Sequence, residues 1–507
     1  MKYIYAIIVT VVMAVSGASA LGDDYKLVSS GLKEPEELRN RLIETADFWA
    51  GTVDQKHGGF FTQVERDGTP IKKDKETLRQ SRVVYAAVRA FQVTGDEGYL
   101  EDAEQALQFM YDNAWDEEHG GWYAKVNRSG ERILKGGRRS AFVEHYALAG
   151  PVAMVEATGD PLHIRWLDRA RDANDRLWDA DGEPDGYFSS ASREWTQKRG
   201  RGFTAEADAI TAHLLVDYLM NRSPDREERL RAVGDNLIEH MAAHVDPEDG
   251  YDIFPYEYDA GWEIDKSVAC LDIGHLLKTA WHLGRLHLIF GEPEYRDAAE
   301  RLLDHFLTHD RGGDNSFWDA RRGIPRGRVF WDDGNVYQES GCWWTMEQAI
   351  TGGLVLWHIS GRERYLEMAD RTLDFFMKRY WDEEHGEAFM HVGPDGEILN
   401  ETKASAFHTA ELFYCAYLYG NLFYHERPVT LYYRIEGRDE ELDVRLTPLA
   451  IPDDALIIES VELDGEPFEM YDANSRTLHI AEEQGGVFKV TFAPVSGTAS
   501  TGGEAGD

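Results

Sequence analysis

One hexapeptide occurs twice in the chain. Trp115-Asp116-Glu117-Glu118-His119-Gly120 returns letter for letter as Trp381-Asp382-Glu383-Glu384-His385-Gly386, with weaker echoes at 54–61 and 246–251. A Tyr-Leu-Glu step opens the helix-like stretch before each strong copy, at 99–101 and 365–367. After three copies an alternating stretch runs around a turn, at Asp67-Gly68, Ser129-Gly130 and Asp395-Gly396. Each reads as a short β-hairpin. The unit is thus helix, hairpin, helix, recurring at roughly 60–70 residues. A single helical pair cannot bury its own apolar face, so such units must stack on one another.

Apolar residues recur at three- and four-residue steps through this whole region. The spacing predicts twelve helices, near 34–50, 75–94, 97–113, 139–158, 161–178, 204–221, 225–244, 268–290, 294–309, 337–360, 363–380 and 403–424. Twelve helices in six pairs close into a double ring. The expected fold is therefore an all-α (α/α)6 barrel over 34–425, with hairpins and loops gathered at one rim, where sites tend to form. After Glu426-Arg427-Pro428 the pattern changes. Stretches 429–435, 442–446, 455–463, 477–480 and 487–492 alternate or run apolar, which predicts a small β-sandwich-like, all-β domain over 428–493. Residues 494–507 are Gly-, Ser- and Thr-rich and read as a disordered tail.

The first twenty residues carry a basic start at Lys2, an apolar run from 4 to 15 and small residues at 18–20. This reads as a secretory signal peptide, too short for a span of about 20 residues. Residues 21–33 then form a linker. The expected location is secreted or periplasmic, with no membrane contact after cleavage. A net charge of −39 excludes a polyanion-binding surface, so no nucleic-acid partner is expected. A homodimer stays open. Cys270, Cys342 and Cys415 are widely spaced in apolar sequence and read as small hydrophobes, not a disulfide framework. His240/His244 and His305/His309 have metal-ligand spacing, but they fall at helix ends among polar residues, where solvated histidines are commoner, and no metal site is expected.

Three segments place polar residues in otherwise apolar helices: 75–82, 274–281 and 403–411. A polar group on a buried face costs a few kcal/mol unless it is paired, so each group answers either to the core or to a shared pocket. At these residues the chain resembles the N-acylglucosamine 2-epimerase superfamily, which includes cellobiose 2-epimerases and mannose isomerases. The family's Lys-x-x-x-x-Gln-x-Arg is matched by Lys75, Gln80 and Arg82. Its Thr-Gly-Asp turn after an apolar helix is matched within 141–160. Gly274, His275 and Trp281 match its central Gly-His and following Trp. Trp343-Trp344 match its Trp pair, Phe407-His408 its final aromatic-His, and His213 a further helix histidine.

The resemblance implies proton transfer next to a sugar carbonyl, without metal or organic cofactor. His275 and His408 are the expected acid/base groups and Arg82 the stabiliser of the enediolate oxygen. His213, Trp281, Trp343, Trp344, Lys75, Gln348 and Glu347 are the expected binders of a mono- or oligosaccharide. Three positions depart from the family: Lys278 and Gln348 stand where it carries Glu, and Glu411 where it carries Arg. Lys278 and Glu411 could form a reversed charge pair. Two other readings stay open. One is an exported glycoside hydrolase or polysaccharide lyase, with Asp208, Asp332, Asp333 and Glu347 as rim carboxylates. The other is a non-catalytic sugar-binding relative.

Overall fold

The computed structural model describes residues 25–133, 137–179, 185–245, 255–265, 267, 270–309, 316–330, 336–337, 342–403, 406–452 and 454–495. Twelve helical rods cover 36–424. They are α1 (Glu36–Ala50), α2 (Thr77–Thr94), α3 (Gly98–Asn113), α4 (Ala141–Thr158), α5 (Pro161–Asn174), α6 (Phe203–Ala209), α7 (Pro224–Asn236), α8 (Ile273–Phe290), α9 (Pro293–Thr308), α10 (Trp343–Ser360), α11 (Glu363–Arg379) and α12 (Phe407–Tyr419). Three rods carry a π-turn. It continues α6 over Ile210–Leu214 into Leu215–Asn221, ends α7 over Leu237–Met241, and ends α12 over Gly420–Tyr424. Even-numbered rods pack on one another in sequence, α2 on α4, α6, α8, α10 and α12, and α12 returns to α2. Odd-numbered rods pack outside them.

The two rings differ as their environments require. Nearly every residue of α2 from Gln80 to Val93 is buried. In α11 burial follows a stripe through Leu366, Ala369, Leu373 and Phe376, the pattern of a helix with one wet face. The turn at 158–160 shows how the rings connect: the Asp160 carboxylate accepts the Leu162 N–H at 2.6 Å and caps α5, whose first residue is Pro161.

Three inner helices start later than their periodicity suggests. Residues Cys270–Asp272 form a strand paired with Arg328–Phe330 ahead of α8. Val336–Tyr337 is a strand ahead of α10, and α12 begins at Phe407. The segment ahead of α1 lies on the barrel from residue 25: the Asp370 carboxylate accepts the Tyr25 hydroxyl at 2.9 Å and the Ser29 N–H at 3.0 Å.

Beyond α12, Val429–Ile435, Leu456–Leu463, Glu466–Pro467 and Gly486–Pro494 form one antiparallel sheet, and Leu442–Arg445, Tyr471–Asp472 and Thr477–Ile480 a second. The 429–435 strand packs on α2 and α4. Arg434 reaches Glu97 at 2.8 Å, and Thr447 Oγ1 lies 3.5 Å from Glu156. These contacts lie at the C-terminal ends of the inner helices, so the β-domain closes one end of the barrel and a single core runs through both. The N-terminal ends of the inner helices face the other way, where the hairpins are. No helix among the described residues is long and apolar enough to cross a membrane. The leader at 1–20 lies outside the described residues.

Candidate active site

The rim is built from one device. After five of the six outer helices the described residues close a hairpin: Val53 pairs with Phe60, Trp115 with Trp122, Trp178 with Tyr187, Trp318 with Pro325, and Trp381 with Ala388. The copy at 246–251 falls wholly outside the described residues. In four hairpins an Asp carboxylate accepts the backbone N–H two residues on: Asp54 from Lys56, Asp116 from Glu118, Asp319 from Arg321 and Asp382 from Glu384. A Gly in the left-handed region follows four residues after each Asp, at Gly58, Gly120, Gly323 and Gly386. That geometry is the reason for the repeated Asp and Gly of the hexapeptide.

The same aspartates bind cations that precede the next inner helix. Lys75 Nζ lies 3.2 Å from Asp54, Arg139 lies 2.8 Å from Asp116, and Lys403 lies 3.4 Å from Asp382. Arg201 repeats the contact with Asp179 at 2.7 Å. The fourth residue of three inner helices holds the other hairpin strand: Gln80 accepts the Phe60 N–H at 2.8 Å, Glu144 the Trp122 N–H at 3.1 Å and Glu206 the Tyr187 N–H at 2.6 Å. Lys75 is thus buried at the rim, between Asp54 and the Phe109 ring. A buried lysine is stabilised by its carboxylate, and this one has its carboxylate in Asp54.

Inside the rim lies a cavity of about 420 Å³ on the barrel axis. Arg82, Tyr146, Asp208 and Lys278 line it, and each is the sixth residue of its inner helix. His275, Trp343, Trp344 and His408, from the first turns of α8, α10 and α12, line it too, with Phe142, Thr204 and Tyr256. The structure thus brings together five expected residues, Arg82, His275, His408, Trp343 and Trp344.

His275 stacks on Tyr256 with ring centres 4.7 Å apart and lies 4.2 Å from the Phe203 ring. Trp344 lies 5.1 Å from His275 and 6.1 Å from His408, so its indole adjoins both imidazoles. Gly274 makes that possible. A Cβ there would stand 2.4 Å from the Trp344 ring. His408 Nδ1 lies 3.3 Å from Glu347 Oε2. Burial, helped by the Arg82 and Lys278 charges, holds the His408 imidazole far below its ordinary pKa, so it is neutral. Burial and the neighbouring Glu411 carboxyl push Glu347 far above the carboxylate range.

Arg82 stacks on Tyr146 at 4.0 Å, and its buried Nε has no acceptor. Lys278 donates to Asp208 at 2.5 Å and to Tyr146 at 2.9 Å. Burial would discharge this lysine, but the Asp208 charge more than offsets it and raises its pKa. Lys278 and Glu411 are not within ion-pair distance, so the expected reversed charge pair is replaced by Lys278–Asp208.

Four further expected binders lie behind the cavity wall. Trp281, two turns into α8, donates to Gln348 at 2.7 Å, and Gln348 in turn bonds Glu347. Thr351 holds the other oxygen of Glu347 at 3.2 Å. This chain supports His408 from below. His213 lies in the π-turn of α6 and pairs with His145 at 3.0 Å, both buried. His213 is not part of the described cavity lining. Glu347, His408 and Glu411 place three ligand atoms within 4.8 Å of one another, the closest approach to a metal-binding set in the barrel centre. Asp332 and Asp333 lie outside the described residues. Sequence reading missed Phe142, Tyr146, Thr204 and Tyr256 as cavity residues. The signal available for Tyr146 was its place, six residues into an inner helix, as for Arg82.

A family model described as N-acylglucosamine 2-epimerase (GlcNAc 2-epimerase) matches residues 59–412. Cellobiose 2-epimerase of Bacteroides fragilis is 23% identical over 390 residues, 73% of this chain and 93% of that protein. Human N-acylglucosamine 2-epimerase is 23% identical over 408 residues, 73% of this chain and 86% of that protein. The solved cellobiose 2-epimerase of Spirochaeta thermophila superposes with a TM-score of 0.67 at 18% identity, covering 78% of this chain and 99% of that one. The family match runs from the first rim hairpin to the last inner helix, and the chain belongs to the N-acylglucosamine 2-epimerase family.

Proposed function

We propose that this chain moves a proton at the carbon beside the carbonyl of a reducing sugar, and that its reaction is 2-epimerisation. The observation that carries the reading is the pair His275 and His408, both on one cavity, both beside Trp344, with Arg82 on the same cavity, its buried Nε without an acceptor among the described residues. Removing a C2 proton needs a base and a donor for the enediolate oxygen. A neutral imidazole suits the base role at neutral pH. With Nδ1 of His408 engaged by Glu347, Nε2 is the nitrogen left for substrate. Arg82 is the donor to the developing oxyanion. Two imidazoles allow removal on one face of the carbon and return on the other, which inverts it. Trp343 and Trp344 supply apolar ring faces for the sugar.

Aldose–ketose isomerisation uses the same enediolate and one imidazole, returning the proton at C1. Hydrolysis would need two carboxylates. The described cavity lining offers one, Asp208, and it is bound to Lys278 and Tyr146. The leader-like 1–20 would place the reaction outside the cytoplasm. The test is product analysis after incubation with glucose, mannose, cellobiose and N-acetylmannosamine. A C2 epimer supports the proposal, a ketose converts it to isomerisation, and release of new reducing ends from glucans or mannans contradicts it.

A further inference from the structure

A second cavity, of about 470 Å³, adjoins the first and shares Arg82 and Phe142 with it. Each volume lies in the range of small-molecule sites, about 300–1,000 Å³, so together they hold more than one sugar ring. The outer cavity is lined by Asp116, Trp122 and Tyr123 of one rim hairpin and by Arg193. Its lining departs from the rest of the molecule. In a chain of net charge −39, six cationic side chains line it against two carboxylates, Glu76 and Asp116.

Both carboxylates are already engaged. Glu76 pairs with Arg79 at 2.5 Å, and Asp116 with Arg139 and Arg193, each at 2.8 Å. The unused capacity is all on the donor side. Arg138 spends its guanidinium on Ser190 Oγ at 3.1 Å and the Gln197 carbonyl at 2.9 Å and has no carboxylate partner among the described residues. Arg82 Nε and the indole N–H of Trp122 are buried without an acceptor. Trp122, Tyr123 and Phe142 give the same cavity aromatic faces. A neutral sugar brings donors and acceptors in similar number. A wall with donors left over and both carboxylates engaged fits a ligand that accepts, and two guanidiniums without a carboxylate partner among the described residues fit one that is negative.

We infer that the outer cavity is a subsite for an acidic sugar, so that the substrate is an oligosaccharide carrying a carboxylate or sulfate on the unit next to the reducing end. The inference rests on the reading that the reducing sugar occupies the inner cavity. Arg138 meets the acidic group, and Trp122 and Phe142 meet the ring.

The experiment compares cellobiose with its uronate analogue, glucuronosyl-(1→4)-glucose, at one ionic strength. Binding is read by calorimetry and turnover by deuterium uptake at C2. The full chain should bind the acid at least about tenfold more tightly, the scale of a hydrogen bond to a charged group. Arg138→Met should collapse that ratio toward one, and Arg138→Lys should keep most of it. Melting curves report whether each variant is folded. A 6-sulfated cellobiose separates the two acid sources: preference for it over the uronate assigns sulfate. Equal affinity of the full chain for cellobiose and its acids overturns the inference, whatever Arg138→Met does. Tight binding of the acid without deuterium uptake would leave the subsite standing and refute the proton-transfer reading. Uptake from both sugars at equal affinity would do the reverse.

Discussion

Rim and centre are made from the same six repeats, and they treat equivalent positions in opposite ways. At the rim, Asp54, Asp116, Asp319 and Asp382 sit at one position of four hairpins, bind the same backbone N–H and meet a cation each time. Some 28–30 residues further along, the sixth position of successive inner helices reads Arg82, Tyr146, Asp208, Lys278 and Gln348. Repetition marks what the barrel needs in every unit. Divergence on an equally buried ring marks groups each placed for one job at the axis.

The comparison is broken most sharply by variants that exchange these roles. His408→Asn and His275→Asn should each lower turnover by roughly 10²–10⁴-fold while leaving the melting temperature near that of the parent chain. Equal losses of turnover and stability would make the centre another structural ring. Asp382→Asn should do the opposite. It strands the buried Lys403 and takes the carboxylate from the partly exposed Arg66; the lysine alone sets a cost of about 3 kcal/mol measured by urea unfolding, with turnover per folded molecule nearly unchanged. Burial pushes the Asp382 carboxyl up, but Arg66 and Lys403 bring it down to about 2. Its folded pKa is thus below its unfolded one, so this stabilisation is present above the ordinary Asp range near 4 and is lost as pH falls toward 2. A melting temperature flat across that window would contradict the pairing.

The reason part of this was legible follows from particular residues. Twelve helices could be read because their apolar periodicity is long and strong, as in α11, and five strands of the C-terminal domain because Val429–Ile435 and its neighbours alternate. Lys75 and Arg82 were not separable. Both are polar residues at buried positions of one segment, and only the hairpin carrying Asp54 tells the rim lysine from the cavity group. His213 lies buried in a π-turn beside His145, and such a turn leaves no sequence mark. Trp281 and Trp344 have similar apolar surroundings, but the cavity draws on the first six residues of each inner helix, and Trp281 is the ninth of its own. The hairpin at Asp319 is harder to read because it keeps only Trp318, Asp319 and Gly323 from the repeated hexapeptide and replaces Glu-Glu-His by Ala-Arg-Arg.

Two smaller effects sharpen the account of the centre. Gly274→Ala puts a Cβ 2.4 Å from the Trp344 ring. Overpacking of this kind costs about 1–3 kcal/mol, and here it should appear as a raised KM and shifted tryptophan fluorescence. An unchanged KM would mean that Trp344 is not held against α8. The smallest effect is spectroscopic. The carbon-labelled His408 resonance, assigned by its loss in His408→Asn, should stay at the neutral-imidazole position as pH falls through 6.5, because burial lowers its pKa. Titration at 6.5 would place the ring in solvent.

The most direct measurement is C2 hydrogen exchange in heavy water. The chain should introduce deuterium at C2 of its reducing sugar at the rate at which the epimer forms, and His275→Asn and His408→Asn should each suppress epimer formation. Epimer or new reducing ends formed without deuterium at C2, or exchange at full rate in both variants, would contradict proton transfer by this pair of histidines.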